Sequence, residues 1–261
     1  KRSGAWMSEY RGQKIVDGKN IRPIVTTNFN FSVPVAGKPA LISFEEAETL
    51  FHEFGHALHG LLSQCKYESL SGTSVPRDFV ELPSQIMENW ASDPTVLKLY
   101  ATHYENGKTI PDELLEKLEK SQYFNQGFIT VEYMSACYLD MDYHTLPFPA
   151  EINVLDFENK SLNKIGLIPE IIVRYRSTYF SHIFSSGYSA GYYSYLWAEV
   201  LDSDAFQAFK ETSLFDPEVA RAFRINILEK GGTEDPMQLY IKFRGKEPGI
   251  TALLKKRGLL Q

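Results

Sequence analysis

The chain has 261 residues, 43% of them hydrophobic and 13% aromatic, with a formal net charge of −6. That is enough apolar material for one large or two small domains with a real core, and no basic run gives nucleic-acid binding an electrostatic footprint. No stretch of about 18 uninterrupted apolar residues and no charged-then-apolar leader occurs, so the sequence predicts neither a membrane span nor an export signal.

An acidic cytoplasmic protein is therefore expected. Cys65 and Cys137 have no C-x-x-C partner and sit in apolar helical contexts, so they read as reduced core thiols, in keeping with a reducing compartment. Lys1 in place of methionine predicts a processed chain or a piece of a longer one. With no internal repeat, low-complexity tract or linker, residues 1–261 read as one domain.

In chain order, residues 14–35 carry the strongest strand signals. Ile21-Arg22-Pro23-Ile24-Val25-Thr26-Thr27 is rich in β-branched residues, and Asp17-Gly18 after Ile15-Val16 offers a hairpin turn. Pro23 suits an edge position. Such a strand could pair with an extended peptide; a plain stabilising hairpin is an equal reading.

Ser43-Phe44-Glu45-Glu46 has the S-x-x-E form of a capping box and predicts a helix start. Two turns later comes His52-Glu53-Phe54-Gly55-His56, an H-E-x-x-H run. Residues four apart share a helix face, so both imidazoles can reach one tetrahedral ion. Glu53 lies about 100° around the helix from His52, beside the metal, where it can accept a proton from water without serving as a ligand. Leu50, Phe54, Ala57, Leu58, Leu61 and Leu62 recur at helical spacing and predict a broad buried stripe. His59 lies about 10 Å along the axis from His52 and is expected to pack rather than to ligate.

Asp78, after Pro76-Arg77, is the candidate N-cap of the next helix, with Glu81 among its earliest residues and Pro83 inside the first turn. Glu81 is the candidate third ligand, and Gln85 and Glu88 follow on its face. Asp93-Pro94, Pro111-Asp112, Asp216-Pro217 and Asp235-Pro236 signal further helix starts, while Gly107, Gly166 and Gly231-Gly232 signal stops. His103 and His144 show no ligand pattern. The segment from His182 to Tyr195 places tyrosines 188, 192, 193 and 195 among small residues. A phenol beside a metal can donate to the oxyanion formed when a carbonyl is attacked; aromatic packing is the plainer reading, and physics alone does not choose among the four.

The blocks Thr49 to His59, Asp78 to Gln85, and Gly187-Tyr188 through Tyr195-Leu196-Trp197 resemble those of the thimet oligopeptidase family of zinc metallopeptidases. Ala36-Gly37-Lys38-Pro39-Ala40-Leu41 and His182-Ile183-Phe184 point to its dipeptide-releasing branch. The resemblance implies a mainly α, zincin-like helical catalytic domain with a small N-terminal β-sheet. It implies one zinc ion held by His52, His56 and Glu81, with Glu53 as general base. It also implies that His182, Tyr188 and Tyr195 contact substrate or stabilise the tetrahedral intermediate, with Tyr192 nearby at the substrate. Two departures stand out. Gln85 occupies the position where thermolysin-like enzymes carry aspartate, and the interval from His182 to Tyr188 is one residue longer than in the oligopeptidase branch, with Ser185-Ser186 where glycines are common.

The expected activity is zinc-dependent hydrolysis of short peptides with release of C-terminal dipeptides. An endo-acting oligopeptidase on the same site and a non-catalytic zinc-binding domain are the alternatives; intact Glu53 speaks against the latter, since a structural site needs no base. The resemblance covers only the C-terminal catalytic portion of the family's longer chains. The expected partners are thus short peptides and an N-terminal half of the same parent protein, whose absence would leave a zinc-binding fragment with little activity; nucleic acid and membranes are not expected.

Overall fold

The computed structural model describes residues 4–147 and 151–260. The chain opens with strand β1 (Trp6–Arg11), turns through the hairpin β2 (Lys14–Val16) and β3 (Lys19–Ile21), and returns as β4 (Ile24–Asn28). β1 pairs antiparallel with β4 and β2 with β3, so there are two small sheets where the sequence predicted one. The hairpin turns on Asp17 and Gly18, both at positive φ (49° and 75°), the combination a tight two-residue β-turn requires. Pro23 belongs to neither sheet. With no N–H to donate, it marks the break between β3 and β4, and residues 29–43 carry no strand, contrary to the signal read as far as Val35.

Helix α1 (Phe44–Leu62) begins as expected. Ser43 accepts from the Glu46 backbone N–H at 3.1 Å, and Glu46 returns the bond to the Ser43 N–H at 2.8 Å. The other Glu46 oxygen accepts from the Ser32 backbone and hydroxyl, tying the preceding segment to the helix. The buried face of α1 is the predicted one only in part: Ala57 is buried and Leu58 and Leu62 pack against the main core, but Leu50 and Phe54 turn outward. Ala47, Glu53, Gly55, Ala57, His59 and Gly60 face inward, while Leu50 and Phe54 are 40% and 48% exposed. Close packing of two backbones demands small residues at the contact, and that demand overrides the apolar stripe.

The second predicted helix is split. α2 (Arg77–Val80) follows Pro76 as cap rather than Asp78, and α3 (Leu82–Ser92) starts after Glu81, with Pro83 in its first turn. Pro83 has no N–H for the carbonyl four residues back, so a continuous helix gives way to a junction at Glu81. Asp78 instead accepts from the Tyr193 hydroxyl at 3.2 Å. The remaining helices are α4 (Pro94–Tyr100), α5 (Asp112–Ser121), α6 (Gln126–His144), α7 (Val154–Lys164), α8 (Ser181–Ser185), α9 (Ser194–Lys210), α10 (Pro217–Phe223), α11 (Pro236–Arg244) and α12 (Thr251–Lys256). Asp93, Asp216 and Asp235 cap α4, α10 and α11 through their side chains.

α3 packs between α1 and α9. Its Leu82 and Ile86, with Leu201, Phe206 and Phe209 of α9 and Leu239 and Tyr240 of α11, form the main core. Wholly buried side chains such as Leu82 and Ile86 each contribute about 1.5–3 kcal/mol, which fixes α3 as a rigid wall. A second core joins Ala136 and Leu139 of α6 to Val173, Phe180, Ile183 and Tyr192. The molecule is mainly α, as predicted, and among the described residues no helix is long and apolar enough to cross a membrane.

Candidate metal centre and active site

Gly55 decides how near α1 comes to α3. A Cβ at this position would sit 2.1 Å from the Pro83 carbonyl oxygen and 2.6 Å from the Ser84 Cα, both backbone atoms. Only hydrogen fits there. The close approach brings Glu81 beneath the two histidines, with its Oε2 3.4 Å from His52 Nε2 and 3.1 Å from His56 Nε2. Two nitrogens or oxygens bound at about 2.0–2.2 Å on adjacent corners of a tetrahedron lie about 3.3–3.6 Å apart. One ligand atom from each of the three residues falls within 4.8 Å of the others. The donor set and its spacing therefore fit a zinc ion.

The electrostatics agree. Burial alone would strip His52 of its proton, but Glu81 and Glu88 hold it well above the ordinary histidine range. Burial would likewise raise Glu81, yet His52 and His56 hold it well below the ordinary carboxylate range. His52 and Glu81 thus hold each other in their charged forms, and a cation bound between them would take the place of the histidine proton. Glu88 Oε1 lies 2.6 Å from His52 Nδ1, so a proton on Nδ1 donated to this carboxylate leaves the Nε2 lone pair aimed at the centre. Sequence reading put Glu88 on the face of Glu81 without assigning it this bond.

Glu53 is 5% exposed, and its Oε2 is buried with no hydrogen-bond partner among the described residues. Burial raises its carboxyl pKa, and the two neighbouring histidines oppose the rise. An acid with raised proton affinity and one unpartnered oxygen beside the centre is equipped to accept a proton. His59 is fully buried, with no partner on either ring nitrogen among the described residues; burial and then His56 push it down to about 3, so it stays neutral and packs.

The tyrosine segment reaches the same centre. The Tyr188 hydroxyl donates to Glu81 Oε1, and the Tyr188 and Tyr195 rings stack at 5.0 Å. Burial first, and Glu81 second, hold both phenols above their ordinary range, so they remain hydrogen-bond donors. The His182 ring lies 6.1 Å from Tyr188, 5.4 Å from Tyr192 and 4.9 Å from Tyr175, while burial and then Arg174 lower its pKa. Tyr192 is 3% exposed and belongs to the second core, where it backs the histidine. The eight residues singled out from the sequence, His52, Glu53, His56, Glu81, His182, Tyr188, Tyr192 and Tyr195, thus lie in or against one cluster.

Two contributors escaped the sequence reading. Asp140 on α6 is fully buried and accepts from the backbone N–H groups of Ala190 and Tyr192, both at 2.9 Å, holding the turn in which Ala190 adopts a left-handed φ of 52°. Asp140 shares α6 with Glu132 and Asp142, so the sequence offered no signal that singled it out. Arg77 lies over the Tyr188 ring at 4.6 Å, and a Cβ on Gly187 would come within 2.7 Å of its guanidinium. Gly187 is needed for that approach rather than for a positive φ.

The model for peptidase family M3 matches residues 1–259. The dipeptidyl carboxypeptidase of Escherichia coli (strain K12) is 45% identical over 261 residues, covering 99% of this chain and 38% of the relative. Oligopeptidase A of Salmonella typhimurium is 40% identical over 262 residues, with 99% and 38% covered. Saccharolysin of Saccharomyces cerevisiae is 35% identical over 241 residues, with 91% and 34% covered. The chain spans less than two-fifths of the length of these relatives. With the motif-bearing helices and the tyrosine segment all inside the matched region, the chain belongs to peptidase family M3.

Proposed function

We propose that this chain is the catalytic portion of a zinc-dependent peptidase that cleaves short peptides and releases C-terminal dipeptides. The observation that carries the reading is the convergence of His52 Nε2, His56 Nε2 and the Glu81 carboxylate beside Glu53, whose Oε2 is buried without a hydrogen-bond partner among the described residues. His52, His56 and Glu81 would hold the ion, with Glu88 fixing the His52 ring. A bound zinc ion supplies Lewis acidity, polarising a carbonyl and making water a stronger acid.

The side chains do the rest. Glu53 removes a proton from the attacking water and returns it to the departing amide nitrogen, one group serving as base and then acid. Tyr188 and Tyr195, kept protonated by burial and by Glu81, donate to the oxyanion as it develops. Aromatic rings around His182 keep that side of the cluster dry. The dipeptide-releasing mode is favoured by the 45% identity to a dipeptidyl carboxypeptidase; the endo-acting alternative draws on the 40% identity to oligopeptidase A.

His56→Ala removes one of three ligands and is expected to abolish stoichiometric zinc in metal analysis of the purified protein. Zinc retained one-to-one by this variant sinks the assignment. Tyr188→Phe and Tyr195→Phe should each lower kcat more than they raise KM, because a donor to a developing charge acts in the transition state. Unchanged kinetics in both variants, accompanied only by lost stability, would assign the pair to packing.

A further inference from the structure

We propose that Arg174 receives the free carboxylate at the C-terminus of the peptide, which makes it the residue that selects dipeptide release over internal cleavage. The inference rests on the peptidase reading above.

Arg174 sits in the segment between α7 and α8, held on both sides. Val173 is 2% exposed in the second core, and Arg176 pairs with the buried Glu158, which also accepts from the backbone and hydroxyl of Ser177. Between these anchors the Arg174 side chain stands exposed, its guanidinium 5.9 Å from the Tyr133 ring and 5.8 Å from the Tyr175 ring. It differs from other arginines of the chain in its company. Arg176, Arg224, Arg244 and Arg257 each pair with a carboxylate. Arg174 is held by aromatic rings and phenols, and no carboxylate lies within salt-bridge distance of it among the described residues. A guanidinium whose neighbours are neutral rings and phenols keeps its charge without a carboxylate to balance it, and its planar fork can take one through two parallel hydrogen bonds.

Its position suits the terminal carboxylate. From Tyr188, which bonds Glu81, one ring contact of 6.1 Å leads to His182 and a second of 4.9 Å leads to Tyr175, against which Arg174 lies. An extended dipeptide spans about 7 Å, so one leaving from the metal side runs along these rings toward the guanidinium. His182 feels both Glu81 and Arg174, consistent with a place between them. Arg77, the other arginine of the cluster, is committed to the Tyr188 ring and the Gly187 backbone, a clasp on the loop.

The test compares an N-acetylated tetrapeptide bearing a free C-terminal carboxylate with its C-terminal amide, using the zinc-loaded protein at its full natural length. The unaltered protein should prefer the acid by roughly 10²-fold in kcat/KM, the scale of a charge-assisted bidentate contact. Arg174→Gln should bring the acid down to the level of the amide, chiefly through KM. Arg174→Lys, which keeps the charge without the fork, should retain part of the preference and covers the case in which the glutamine variant fails to fold. Calorimetry adds a readout independent of turnover: Arg174→Gln should weaken binding of a free dipeptide with zinc content unchanged, while Arg77→Gln keeps the ratio of acid to amide. An undiminished ratio in Arg174→Gln or Arg174→Lys, or its loss in Arg77→Gln instead, overturns the assignment. If the unaltered protein cleaves both peptides equally, the inference fails and the peptidase reading stands; if it cleaves neither, the peptidase reading falls and takes the inference with it.

Discussion

Glu53→Gln is expected to cut peptide hydrolysis by at least the roughly 10²–10⁴-fold that accompanies loss of a general base, with zinc content and melting temperature preserved. The substitution keeps the shape of the side chain and removes its capacity to take a proton. Glu53 Oε2 has no hydrogen-bond partner among the described residues, so glutamine breaks no bond at that atom. Steady-state rates and metal analysis on the same preparation decide the matter. Near-normal rates at full zinc content would remove Glu53 from the chemistry, and loss of zinc would show that it holds the ion.

Gly55→Ala should add one of the most disruptive single methyl groups among the described residues. The added Cβ meets the Pro83 carbonyl and the Ser84 Cα, which are backbone atoms of a helix anchored in the main core, and no side chain can swing aside. Overpacking of this kind costs about 1–3 kcal/mol, occasionally more. Relief requires α1 and α3 to separate, which withdraws Glu81 from the histidines. Zinc affinity should accordingly drop by at least about tenfold, the lower end of what misplaced supporting groups cost a metal site. Denaturant unfolding measures the first effect and competition with a chelator the second. A variant with unaltered stability and unaltered zinc affinity would mean that the two helices are not in the contact described.

The parts of the fold legible in the sequence are those set by local chemistry. Ser43 and Glu46 form their reciprocal cap, Asp93, Asp216 and Asp235 cap helices ahead of proline, and Asp17-Gly18 makes its turn, because each depends on a few consecutive residues. The two histidines were legible for a similar reason, as spacing along a helix determines a shared face, whereas Glu81 was picked out by its place at the opening of the next helical segment and by the family resemblance. What stayed hidden depends on partners distant in the chain. β1 has little alternation of its own and is defined by pairing with β4. The outward turn of Leu50 and Phe54 follows from Gly55 facing α3, and the break at Glu81 follows from one missing N–H at Pro83. Asp140 acquires its role only through a turn about fifty residues later.

The sequence separations within the cluster also bear on the order in which it can assemble. His52 and Glu88 are 36 residues apart, whereas Tyr188 and Glu81 are 107 apart. Closing the longer loop costs about 1 kcal/mol more in chain entropy, and the tyrosine segment emerges later from the ribosome, which makes domains from the N-terminus onward. Helix α1 and the α2–α3 junction that carries Glu81 can therefore meet while the proposed oxyanion donors are still undocked, and a metal ion captured at that stage would stabilise the pair against reopening. The protein is expected to acquire its metal before it acquires its reactivity, a sequence of events that keeps a newly made peptidase harmless to the chain still folding around it.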